Sequence, residues 1–199
     1  MSCTGVLTED MDPQPSDAYG HAKLKAELVL RQTSIDWAAL RLASVLYGDG
    51  ASGSIERLLG VANLPAPLPT AGMRARRSLL ALDNLVAAID VILKSPADLR
   101  RPIIVTDPEA LSISEMIDAL RRGLGRPANQ FWAPPVAVRT GLYLMRKRDD
   151  YERVAGSLVA TPETLIRMGW RPPVDTRSGL EGLAASSLGP GFRGEPHQT

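Results

Sequence analysis

Tyr19 and Lys23 stand four residues apart in SDAYGHAKLKAELVL (Ser16 to Leu30), the first stretch whose side-chain types and spacing fit a reaction. On a helix, positions i and i+4 share a face. A phenol ionises near pH 10, about three units too high for a base at neutral pH, but an ammonium one turn away favours the phenolate. Such a phenolate can take a proton from an alcohol or sugar hydroxyl while hydride leaves the same carbon, a reaction that needs a hydride acceptor such as a nicotinamide. By itself Tyr-x-x-x-Lys is a common coincidence and describes a surface helix pair equally well. His21 falls on a different face of the same helix and reads as a surface side chain.

A second stretch, GDGASG, sets Gly48, Gly50 and Gly53 in the spacing of a dinucleotide fingerprint, after a predicted strand and before a predicted helix. That fingerprint requires an acid on a second strand about 20 residues later, to hold a ribose hydroxyl. Residues 64–76, LPAPLPTAGMRAR, contain no acid. The stretch is therefore read as a glycine-rich turn.

The elements around these residues follow from capping and periodicity. Residues 1–15 read as a loop ending on Pro13 and Pro15; Ser16 or Asp17 then caps the Tyr19 helix. DWAALRLASVLY (Asp36 to Tyr47) has little alternation and reads as one strand buried on both faces of a parallel sheet. SIERLLGVAN is a short helix, RSLLAL a strand, DNLVAAIDVILKS a helix capped by Asp83, and PIIVT (Pro102 to Thr106) a strand. Ser112 and Glu115 form a capping box for a helix that stops at Gly125. Further helices are expected over 136–146, 150–156, the TPETLIRMGW segment (Thr161 cap, Pro162 first) and 175–185. Alternating helices and strands predict an α/β protein with a mostly parallel sheet of three or four strands, few for that class.

The bulk numbers exclude several functions. A balance of 23 basic and 22 acidic residues leaves a net charge of +1, no footprint for nucleic acid or an acidic membrane. The single cysteine, Cys3, forms no intramolecular disulfide, and one cysteine with two histidines makes a zinc site improbable. No run of about 18 apolar residues exists to span a membrane. The N-terminus lacks a basic and an apolar region, which points to the cytoplasm.

PSDAYGHAKLKAE resembles the active-site helix of the extended short-chain dehydrogenase/reductase family, closest to the NAD-dependent epimerase/dehydratases of nucleotide sugars, whose pattern is P-x-x-x-Y-G-x-S-K-x-x-x-E. Pro15, Tyr19, Gly20, Lys23 and Glu27 match it, and Ala22 replaces the serine. Three more blocks follow in the family's order: LRLASVLYGDG, RRSLLALDNLVAAI and LIRMGWRPPVDTRSGL. Together they span about residues 13–181. Departures are Leu42 for a frequent proline, Ala81 for a frequent histidine, and a strand-to-turn spacing one residue longer than usual.

The resemblance implies the C-terminal half of a Rossmann-like doubly wound sheet with a remnant core over 16–110, a mostly helical substrate-binding lobe over 111–185 and a disordered tail over 186–199. It implies Tyr19 as catalytic base and Lys23 as its partner, both also touching cofactor, with Arg77 and Ser44 binding the nucleotide-sugar substrate. Asp83 and Asn84 are read as helix-capping residues. The implied cofactor is NAD, with NADP open, and the implied assembly is a homodimer through the Tyr19 helix. In the family the glycine-rich loop, the ribose-binding acid and the first strands precede the tyrosine; here eighteen residues do, and the catalytic serine or threonine has no assigned counterpart. The expectation is a truncated 4-epimerase-type protein, inactive by itself. The alternatives are a non-catalytic binding or dimerisation module, or a reductase of hydroxysteroid or flavonoid type.

Overall fold

The computed structural model describes residues 6–15, 17–48, 53–96, 99–134, 136–138 and 157–188. Its strands are β1 (Val6–Leu7), β2 (Ala38–Arg41), β3 (Val45–Tyr47), β4 (Arg76–Ala81), β5 (Arg101–Ile104), β6 (Ala110–Ser112) and β7 (Val159–Ala160). Its helices are α1 (Ala18–Arg31), α2 (Ser54–Ala62), α3 (Leu82–Leu93), α4 (Ile113–Gly123), α5 (Glu163–Arg167) and α6 (Thr176–Ser186). The α/β expectation holds, and pairing is mostly parallel: β1 with β7, β2 with β5 and β3 with β4, against one antiparallel pair, β4 with β6.

Strand β4 is the centre. Its side chains alternate between two cores, as a period of two requires. Leu79 faces Tyr47, Leu59, Leu111, Ile117, Leu120 and Leu180, from β3, α2, β6, α4 and α6. Leu80 faces the other way, to Ala88, Ile103, Val105, Leu165 and Trp170, from α3, β5 and the α5 region. On its first half β4 pairs with β6, on its second with β3, and Leu158 hooks onto it through Ser78 N–H (2.9 Å) and the Arg76 carbonyl (3.0 Å).

Several expectations need correction. The single strand over Asp36 to Tyr47 is two strands in two sheets, because the chain turns after Arg41, whose carbonyl accepts from Ala43 N and Val105 N. No glycine or proline marks that turn. Within the expected N-terminal loop, Val6–Leu7 is a strand on β7, and β6 and β7 are additional strands; seven short strands occur among the described residues. Helix α3 is capped at Ala81 without a side-chain bond, so Asp83 sits in its first turn and Asn84 is buried rather than capping. Pro162, not Thr161, is the N-cap of α5. Of the two helices expected in 136–156, only 136–138 is described, and it is helical. Ser16 and residues 189–199 lie outside the described residues.

The predicted capping box of α4 forms: Ser112 Oγ accepts from Glu115 N, and Glu115 returns the bond to Ser112 N at 2.8 Å. Glu115 also receives Arg177 at 2.8 Å and Arg76 at 3.1 Å. Partial burial pushes this carboxyl up, but the Ser112 amide and the Arg177 and Arg76 guanidinium groups outweigh it and bring it down to about 2. A depressed carboxyl adds stability above its unfolded pKa and loses it as pH falls through the folded one. Glu115→Gln should therefore flatten the acid limb of the stability curve between about pH 4.5 and 2. Urea melts of both proteins from pH 2 to 6 check this; parallel limbs would refute it.

Candidate functional site

Helix α1 carries the first site residues. Asp17 caps it by accepting from Gly20 N at 2.6 Å. Gly20 is required by a close approach: a Cβ there would lie 2.9 Å from the Pro15 Cβ. Alanine, leucine, lysine and glutamate favour the helix that follows. Tyr19 and Lys23 meet on its surface, with Lys23 Nζ 5.2 Å from the centre of the Tyr19 ring. Tyr19 is 72% exposed, so the phenol is open to an incoming molecule. His21 is exposed, as expected.

The other end of α1 is pinned. Glu27 is its one buried side chain and accepts from Arg41 Nε (3.1 Å) and Nη2 (2.8 Å) and from Arg31 Nη2 (2.9 Å). Burial works to raise the Glu27 carboxyl, but its bonds to Arg41 and Arg31 prevail and hold it below the ordinary range.

Ser44 lies in the turn between β2 and β3, and Arg77 on β4 between Leu111 and Leu158. Ser44 Oγ and Arg77 Nε are both buried and have no hydrogen-bond partner among the described residues. Burial lowers the pKa of Arg77. Buried polar atoms are ordinarily satisfied, so these two are places where a ligand atom or water is wanted. The structure thus brings Tyr19 to Lys23, and leaves Ser44 and Arg77 with open bonding capacity on separate elements.

Gly48 and Gly53, from the glycine-rich turn, both have positive φ, 143° and 105°. A Cβ on Gly48 would sit 2.9 Å from the Leu82 Cβ, so this glycine serves the packing of the turn on α3. Residues 49–52 lie outside the described residues. Between α2 and β4 there is no strand, only the isolated bridge of Leu68 to Gln130.

Sequence reading missed a buried polar hub. Asp107, fully buried, accepts from Asn84 Nδ2 (2.7 Å), Ala81 N (3.3 Å), the Tyr47 hydroxyl (3.2 Å) and Thr176 Oγ1 (3.3 Å). Asn84 also donates to the Val174 carbonyl and accepts from Val174 N. Burial pushes the Asp107 carboxyl up against the pull of these bonds, and pushes the Tyr47 phenol up as well. In sequence, TDPE offers only a turn signal; the donors come from positions up to 69 residues away.

Among the described residues no cluster of histidine, cysteine and carboxylates could hold a metal, and no helix is long and apolar enough to cross a membrane. Lys23 Nζ, over the Tyr19 ring, and the exposed phenol suit the ribose and nicotinamide end of a dinucleotide.

No protein-family model matches the chain. A curated UDP-glucose 4-epimerase from Vibrio cholerae is 28% identical over 187 residues, which is 91% of this chain and 56% of that protein. Among solved structures, Thermus thermophilus UDP-glucose 4-epimerase in complex with NAD aligns at a TM-score of 0.64 and 18% identity, over 94% of this chain and 59% of its own. Bacillus cereus UDP-glucuronic acid 4-epimerase with UDP-glucuronic acid and NAD gives 0.64 and 19%, over 92% and 56%. A human epimerase-family protein with NADPH gives 0.68 and 16%, over 92% and 61%. The chain resembles the extended short-chain dehydrogenase/reductases in sequence and in fold. The resemblance is to NAD-dependent epimerase/dehydratases over part of their length: the chain spans 56% of the curated relative. Its parallel α/β pairing is that of a partial Rossmann-like sheet.

Proposed function

We propose that this chain is the proton-transfer and substrate-holding part of a nicotinamide-dependent sugar-nucleotide 4-epimerase or dehydratase. The observation that carries the reading is the Tyr19–Lys23 pair, openly presented on α1 within this fold. Tyr19 takes the proton of a sugar ring hydroxyl and later returns it; Lys23 lies beside the phenol and donates to a ribose hydroxyl. A bound NAD, or NADP, would supply the hydride acceptor. The Arg77 fork suits the diphosphate oxygens, and the Ser44 hydroxyl suits a sugar or phosphate oxygen; the unpaired atom on each supports this assignment.

GDGASG is not followed in residues 64–76 by the acid that a dinucleotide fingerprint needs, so this chain by itself is expected to bind nucleotide sugar without turning it over. The exposed Leu28 and Val29 on α1 support a homodimer through that helix.

Calorimetric titration with UDP-glucose and UDP-glucuronic acid tests the reading. The chain should bind one of them, and Arg77→Met should weaken binding about tenfold, since a charge-assisted bond is worth about 1.5 kcal/mol or more. Equal affinity in the variant, or no affinity for any nucleotide sugar, would overturn it.

A further inference from the structure

Helix α1 is docked in an unusual way. A helix on a protein surface ordinarily buries an apolar stripe. Here the only buried side chain of α1 is a carboxylate, Glu27, while Leu28 and Val29 are 46% and 61% exposed. Glu27 is gripped by the Arg41 fork through two bonds, at 3.1 and 2.8 Å. Arg41 is itself fixed in the sheet: it ends β2 opposite Ile104, and its carbonyl accepts from Val105 N at 3.1 Å. The bond from Arg31 to Glu27 lies within α1 and so does not tie the helix to the sheet.

We propose that the Glu27–Arg41 pair is the positioning device of the site, the contact that sets where α1 presents Tyr19 and Lys23 relative to the sheet. This rests on reading Tyr19 and Lys23 as the working pair. Glu27 lies one turn beyond Lys23 and two beyond Tyr19. Eight residues of helix are about 12 Å long, so a tilt of about 10° at Glu27 displaces Tyr19 by about 2 Å. Displacements of that size are enough to disable a reacting group. A bidentate pair resists such tilting because two parallel bonds fix orientation as well as distance. Neither residue touches substrate; each acts through the helix it holds.

Two readouts test this without using turnover, so they can fail independently of the catalytic reading. In amide hydrogen exchange on the full chain, Glu27→Gln and Arg41→Met should each speed exchange in α1 at least tenfold and leave α4 within twofold. Arg31→Gln, which removes the partner on the same helix, should leave α1 within twofold. Unchanged α1 exchange in the first two variants would overturn the proposal. An equal rise in α4 would do so too, because the pair would then be a general stabiliser. The second readout is a distance. Spin labels at His21→Cys on α1 and Glu163→Cys on α5, in a Cys3→Ser background, should give one narrow distribution. Arg41→Met should broaden it, and Arg41→Lys, which keeps the charge and one bond, should narrow it again. A distribution unaltered by Arg41→Met refutes the positioning role.

Discussion

Replacing Arg121 by methionine should cost the fold about 4 kcal/mol. Arg121 sits in the last turn of α4, is 2% exposed, and has no carboxylate against it among the described residues. Its guanidinium is instead surrounded by backbone carbonyls. Nε donates to Ala62 (3.2 Å), Nη2 to Leu64 (3.1 Å) and Ala66 (2.8 Å), and Nη1 to Pro127 (3.4 Å), Ala128 (2.7 Å) and Asn129 (3.2 Å). These carbonyls belong to two irregular segments, one leaving α2 and one leaving α4. Ala62 is the last residue of α2, and the Asn129 carbonyl also accepts from Leu68 N (3.1 Å); for the others Arg121 is the donor shown, and a buried acceptor left without a donor costs about 1–3 kcal/mol. Methionine fills much of the volume and removes the desolvation cost of the charge, yet it supplies no donor. The sum falls below one full penalty per carbonyl because some regain water. Against a total stability of about 5–15 kcal/mol for a domain, the loss is large. Guanidinium melts should show a lower midpoint with the slope nearly unchanged. Arg121→Lys, a point donor in place of a fork, should recover less than half. A methionine variant within 1 kcal/mol of the parent would show that the carbonyls are satisfied some other way.

Asp107→Leu should cost a similar amount, about 4 kcal/mol, by stranding four donors at once. Asn84 and Ala81 hold the start of α3, Tyr47 the end of β3, and Thr176 the first turn of α6. Asp107→Asn keeps one acceptor oxygen and nearly the same shape, and the Tyr47 and Thr176 hydroxyls can turn to accept from its amide, so it should lose much less. Its pH profile is the sharper test. Burial raises the Asp107 pKa above its unfolded value, with the surrounding hydrogen bonds opposing. A raised carboxyl contributes stability that is present below the unfolded pKa and lost as pH rises through the folded one. The parent minus Asp107→Asn difference should therefore decline with rising pH, opposite in sign to the Glu115 difference. Thermal melts across pH 3–8 measure both; a difference that grows with pH would show that Asp107 is held ionised by its donors.

Arg121 also shows what a linear reading cannot reach. In sequence, the two arginines near the end of α4 are what any helix C-terminus prefers, and Arg122 fits that description, paired to Asp118 and Glu181 on the surface. Nothing local separates the two. One residue of rotation carries Arg121 into the interior, and only the approach of residues 62–66 and 127–129 turns it into a clamp. Asn84 behaves likewise: the helix start was legible, but its amide reaches Asp107 and Val174, chosen by the packing of distant segments. The break between β2 and β3 was invisible for another reason. Apolar residues run through it without a glycine or proline, and the two halves separate because each finds a different partner strand.

The sequence by itself determined what depends on short spans. These are the Tyr19–Lys23 spacing, the Asp17 cap, the Ser112–Glu115 box, the α/β alternation, and the ordered blocks that resemble those of nucleotide-sugar epimerase/dehydratases. Caps, periodicities and motifs act within one or two turns of chain, so the residues that decide them are neighbours. Tertiary structure alone decided that Glu27, another position in the same motif, is the buried grip of α1 on β2. It alone decided that Ser44 and Arg77 carry buried atoms without partners among the described residues, and that Asp107 and Arg121 gather donors and carbonyls from across the fold. Those roles depend on burial, and burial is set by which distant surfaces meet.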